Sequence, residues 1–142
     1  MSFAIVIMFC SMNILCEDVD EPNISSDLCD YRVVINENLY ENFESSSFEF
    51  INAEITDDCL NVELGASGCD GNTWVFNLVD SGAIAESSPE QRYLKLQLIN
   101  DELCLAYFER TISFDLASLQ INGSNEIILH IEGFESSLNY KY

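Results

Sequence analysis

The sequence predicts an all-β fold: an antiparallel β-sandwich, immunoglobulin-like or similar, with seven to nine strands and two disulfides. Three observations predict it. From Cys29 onward the chain is a series of short runs in which apolar and polar residues alternate, the period of strands with one buried face. Clusters of Gly, Asn, Asp, Ser and Pro separate these runs at short intervals, as in sandwiches. No stretch sustains a helical period. The 142 residues suit one domain, and a hydrophobic content of 48%, with nine Phe and six Tyr, supplies a core that a disordered chain lacks.

The first expected strand is Tyr31 to Asn36, and Leu39 to Ser45 has room for one helical turn. Ser47 to Thr56 is the second strand. Phe48 and Phe50 point one way, and Ile51, Ala53 and Ile55 then require a bulge that resets the face. Leu60, Val62 and Leu64 make the third. A glycine-rich turn, Gly65 to Asn72, opens onto Trp74, Phe76 and Leu78, and Ser81 to Ser88 is expected as a flexible connection. Leu94, Leu96 and Leu98 alternate with Lys95 and Gln97. After the polar turn at Asn100-Asp101 come Leu103, Leu105 and Tyr107, then Ile112, Phe114 and Leu116. Leu116 to Leu119 has room for another turn. Ile127, Leu129 and Ile131 form the next strand, and Ser137 to Tyr142 a last edge strand.

The domain boundaries follow from composition. Residues 1–15 are an apolar run of the length of a secretory signal, shorter than a bilayer span. Residues 16–28 carry Glu17, Asp18, Asp20, Glu21 and Pro22 and read as an acidic tether. Residues 29–142 are the β-sandwich domain. An apolar run that ends in Cys16 before an acidic stretch looks like a bacterial lipoprotein signal, in which Cys16 becomes the lipidated first residue; the alternatives are an ordinary cleaved signal and an uncleaved membrane anchor. Asn23-Ile24-Ser25 and Asn122-Gly123-Ser124 match the three-residue glycosylation pattern.

Charge excludes some partners. The chain has 25 acidic residues against five basic, a net charge of -20. A phosphate backbone and an anionic membrane surface are both repelled, so no nucleic acid is expected as partner.

Beyond Cys16, the mature chain holds Cys29, Cys59, Cys69 and Cys104. Four cysteines in an exported protein imply two disulfides, with three possible pairings. Cys69 and Cys104 each follow a polar turn and precede an alternating run, so their strands start at similar heights. That favours Cys69–Cys104 and leaves Cys29–Cys59. Zinc needs close ligand pairs, and the nearest cysteines here, Cys59 and Cys69, are ten apart, with one distant His.

No catalytic, cofactor or metal site is expected. No nucleophile elbow, His-Glu-x-x-His or phosphate loop occurs. His130 stands at the polar phase of an apolar run and reads as an ordinary histidine. Carboxylate pairs such as Asp57-Asp58 and Asp101-Glu102 are expected by coincidence among 25 acids, whereas acid–base work needs one carboxyl in an apolar site beside one that stays ionised. Asp70-Gly71-Asn72 lacks the further ligands of a calcium loop and reads as a tight turn. Trp74 continues the face of Phe76 and Leu78, which favours core over a sugar-stacking platform.

Cys16 with its acidic tether, the turn Ser67-Gly68-Cys69-Asp70-Gly71, the Leu103-Cys104-Leu105-Ala106 run and Phe114-Asp115-Leu116 with Leu119 together resemble a family of small uncharacterised lipoproteins of Bacteroidota-type (flavobacterial) bacteria. The resemblance implies an exported, lipid-anchored β domain at the outer membrane or cell surface, and no activity. The expected function is therefore non-enzymatic binding of a cell-envelope protein or glycan, with the membrane engaged through the lipid. The alternatives are a soluble secreted binder or protease inhibitor, and a carboxylate-based hydrolase.

Overall fold

The computed structural model describes residues 28–42 and 44–142. Cys16, the signal, the tether up to Asp27 and the Asn23 acceptor lie outside the described residues.

Among the described residues nine strands form two stacked sheets. Residues 31–32 (β1) and 34–35 (β2) are followed by a short helix, Glu37–Asn42 (α1). Then come Glu49–Thr56 (β3), Cys59–Gly68 (β4), Val75–Ala85 (β5), Glu90–Ile99 (β6) and Ala106–Asp115 (β7). A 3-10 turn, Ala117–Leu119, precedes Glu126–Ile131 (β8) and Leu138–Lys141 (β9). One sheet has the order β1-β7-β4-β3 and the other β2-β5-β6-β8-β9. The inward residues are those the alternation marks. Leu60, Val62 and Leu64 of β4 and Phe114 of β7 face Phe76, Leu78, Leu94, Leu96, Leu98, Ile127 and Leu129 across the interior, and all are buried. Burial of this apolar area, at about 25 cal/mol per Å², is the main force holding the layers together.

The sandwich class stands, but its sheets are mixed. Four of the pairings, β3–β4, β4–β7, β5–β6 and β8–β9, are antiparallel, whereas β1–β7, β2–β5 and β6–β8 are parallel. The physical reason is sheet crossing. The chain leaves β6, crosses the sandwich as β7, and returns as β8 beside β6. Two crossings restore the original direction, so the returning strand is parallel. The first expected strand likewise divides. Tyr31 and Arg32 pair with β7, Val34 and Ile35 pair with β5, and buried Val33 marks the switch between sheets.

Three local expectations are also settled. The register of β3 shifts between Phe50 and Asn52, the bulge that its residues require. Ser81 to Ser88 is not a loose connection: β5 runs to Ala85, and its register shift between Asp80 and Ile84 surrounds Gly82 at φ +80°. Leu103 and Leu105 are not strand residues. They precede β7, are 94% and 90% exposed, and leave Tyr107 as the only apolar member of that run in a strand. The alternation is present as a pattern, but β4 ends at Gly68, opposite Ala106, so this neighbour does not extend to Leu103 and Leu105.

Candidate functional site

The two disulfides stand at opposite ends of β4. Cys29 joins Cys59, the first residue of β4, and Cys69, just past its last residue, joins Cys104. Ten strand residues separate the bridges, roughly 33 Å at the usual rise. Leu28, where the described chain begins, lies at the Cys29–Cys59 end, here called proximal. The distal end carries the turn 69–74 and the loop 100–105.

The distal end is built around one carboxylate. The chain turns sharply after Cys69, with Gly71 at φ +69°, a conformation glycine adopts without strain. The turn aims three successive backbone N–H groups into one concavity, an arrangement that binds anions. Glu102 fills it. One carboxylate oxygen accepts from the N–H of Cys69, Asp70 and Gly71 at 2.5, 3.1 and 3.1 Å, and the other accepts from the Thr73 hydroxyl at 2.8 Å. Partial burial opposes ionisation, yet the Thr73 hydroxyl and the three N–H groups outweigh it and hold the Glu102 carboxyl at about 2. The loop is tied again where the Asn100 side-chain amide donates to the Ser67 carbonyl and its oxygen accepts from the Glu102 N–H.

Other side chains brace the turn. Arg110 reaches from β7, and its Nη2 donates to the Asp70 carbonyl and to Asn72 Oδ1. Asp70 Oδ1 accepts from the Asn72 N–H, so Asp70-Gly71-Asn72 closes on itself as a tight turn. Trp74 is 5% exposed and meets Phe76 edge-on, which places it in the core and not on a stacking platform. Beside it, Asp30, Tyr31, Gly71, Asn72, Phe76 and Arg110 line a shallow open cleft. On the outer face of the four-stranded sheet Tyr107 lies against Gly65, where any side chain would overlap its phenol. Burial first, then the charges of Glu49 and Glu109, raise the Tyr107 hydroxyl.

Elsewhere several ionisable groups have structural partners. Asp80 is buried and paired with Arg92 at 3.0 Å, and it also accepts from the Gly82 N–H. Burial raises its carboxyl, with the Gly82 N–H and Arg92 pulling it part of the way back. Tyr140, wholly buried, donates to Asp58 and accepts from Gln120; burial and then the Asp58 bond push its hydroxyl up. His130 stacks on Tyr93 and bonds Gln91 on the outer face of the five-stranded sheet. Among the described residues no three His, Cys, Asp or Glu side chains gather as a metal-binding group. Asn122-Gly123-Ser124 occupies the turn before β8.

The structure thus joins the four domain cysteines in the expected pairs, while Cys16 is outside the described residues. The residue that sequence reasoning missed is Glu102. Its partners, three backbone N–H groups and the Thr73 hydroxyl, lie some thirty positions away, and no side-chain pattern announces them. The one available signal was an acid two residues before a cysteine that pairs with a glycine-rich turn.

No family model and no curated protein matches the sequence. Solved structures do resemble it. One is a Bacteroides vulgatus protein of unknown function, DUF1344, with TM-score 0.53 and 18% identity, over 78% of this chain and 56% of that one. Another is a NigD-like immunity protein from Bacteroides caccae, with TM-score 0.57 and 11% identity, over 77% of this chain and 57% of that one. The chain therefore matches a little over half the length of each. At such identities the likeness is one of fold.

Proposed function

We propose that the protein is an exported, non-enzymatic binding module of the cell envelope, held to a membrane by lipid on Cys16, whose partner is another protein. The observation that carries this reading is the pair of disulfides clamping both ends of β4. Such bonds persist in oxidising compartments outside the cytoplasm. The resemblance in fold to a protein described as NigD-like immunity protein is compatible with a binder. A hydrolase needs two carboxyls in opposed environments within one site. Among the described residues the one raised carboxyl, Asp80, is covered by Arg92, and the one lowered carboxyl, Glu102, fills the distal turn; they share no hydrogen-bond partner. The burial of Trp74 favours a protein partner over a glycan.

The anchor is tested by growing producing cells with a fatty-acid analogue. The wild-type chain takes up the label and fractionates with membranes; Cys16→Ala does neither. Equal labelling of the two chains overturns the lipid and leaves a soluble exported binder. Two or more acyl chains are needed for stable anchoring, so the released variant is expected in the soluble fraction.

A further inference from the structure

We infer that the distal loop Asn100 to Leu105 is a preorganised docking tip, and that its occupant is a basic protein whose apolar pocket receives Leu103 and Leu105. The inference rests on the binding-module reading and gives that module its contact surface.

Single exposed leucines are ordinary on protein surfaces. Here two leucines, 94% and 90% exposed, flank one cysteine, with Val75, Ile99 and Tyr107 also exposed in the strand ends nearest them. Val75 and Ile99 face each other across the β5–β6 pair. The leucines are not held out by a slack loop. Cys104 between them is bonded to Cys69, with Cα atoms 4.7 Å apart. Glu102, next to Leu103, is fixed by three N–H groups and the Thr73 hydroxyl, and Asn100 is fixed to Ser67. Ordering a loop is a main cost of association, and a loop already rigid avoids it.

Charge selects the occupant. Asp70 lies in the turn and Asp101 in the loop, and Glu49 and Glu109 stand beside Tyr107 on the adjoining sheet face, in a chain of net charge -20. Arg110, the cation of this end among the described residues, is turned to the Asp70 carbonyl and Asn72. The field therefore attracts a cationic rim and repels both a second copy and an anionic bilayer. Position agrees. A tether entering at Leu28 holds the domain by its proximal end, and the tip lies about ten strand residues, roughly 33 Å, beyond it.

The test places a photo-crosslinking amino acid at position 103, 105 or 84 of the full chain in cells that make it. Ile84 is an exposed apolar residue remote from the tip. Positions 103 and 105 are expected to yield an adduct with one basic protein and position 84 none. Purified Leu103→Ser/Leu105→Ser is expected to bind that protein at least tenfold more weakly, with an unchanged melting temperature. Adducts with lipid, with a second copy or with an acidic protein overturn the inference. So do equal adducts at position 84, no adduct at all, or undiminished binding by the double variant. Repeating the crosslink in Cys16→Ala separates the two readings: the adduct is expected to persist on the released, unlabelled chain, whereas an adduct on a variant that labels as the wild type does retains the tip and overturns the anchor.

Discussion

Glu102 is the residue on which most of the distal end depends, and its acidity makes the dependence measurable. Its carboxyl falls from an ordinary 4.5 to about 2 in the folded chain. A depressed folded value means the stabilisation is complete above the unfolded value and is lost as pH falls between the two. Glu102→Gln is therefore expected to lower the denaturation midpoint at pH 7, with the gap to wild type closing from about pH 4.5 and absent below about pH 2. Denaturant titrations across that range check it; a gap that is constant in pH rules out the carboxylate as the clamp. Asp80 tests the opposite case, a buried charge with one partner. Asp80→Ala strands the Arg92 guanidinium and is expected to cost about 3–5 kcal/mol. Replacing both with apolar residues of similar volume is expected to recover most of that loss, by the same denaturation measurement. Trp74→Ala, a truncation inside the core, is expected to cost about 3–5 kcal/mol, followed by circular dichroism because the only tryptophan is lost.

At the scale of elements, the two bridges close loops of 35 and 30 residues, and in the chain-entropy model each is worth about 3.5–4 kcal/mol. Near-equal destabilisation is therefore expected from Cys69→Ser/Cys104→Ser and Cys29→Ser/Cys59→Ser. Their local effects differ. Loss of the distal bridge is expected to expose amide protons of Cys69, Asp70 and Gly71 to exchange, and loss of the proximal bridge to leave them protected. The distal pair is the expected one, but its geometry is different: Cys69 stands just past the end of β4 and Cys104 just before β7, and the pairing of Gly68 with Ala106 brings the two together. The strands of β4, β6 and β8 were legible because each buries every second residue. Leu103 and Leu105 were not, because alternation reports which way side chains point and not whether a neighbouring strand is there to pair. The division of β1 from β2 at Val33 and the Glu102 clamp were hidden by distance along the chain, since their partners, Phe114, Val79 and the turn at 69–71, are set by the completed sandwich.

The whole molecule carries far more negative charge than its fold can pair. Among the described residues, Arg92, Lys95 and Lys141 of the five cations meet carboxylates, and only the Arg92–Asp80 pair is buried on both sides. The remaining acids repel one another across the surface, which destabilises the compact state. At 0.01 M ionic strength the screening length is about 30 Å, comparable to the length of the sandwich, so acids at both ends interact; at 0.15 M it is about 8 Å and only neighbours do. Salt also weakens the exposed Lys95–Glu132 and Lys141–Glu126 pairs, but such pairs are worth only about 0–1 kcal/mol each, against a repulsion summed over some twenty charges. The sign is therefore positive. Raising sodium chloride from 10 to 150 mM is expected to stabilise the protein by about 1 kcal/mol or more, a melting-temperature rise of about 4 °C for a domain of this size. Calorimetry at fixed pH 7 checks it. The same salt is expected to weaken capture of a basic partner at the tip, because steering there relies on the unscreened field. A melting temperature that falls with salt would mean that the exposed ion pairs, and not the surplus of acids, dominate the electrostatics of this fold.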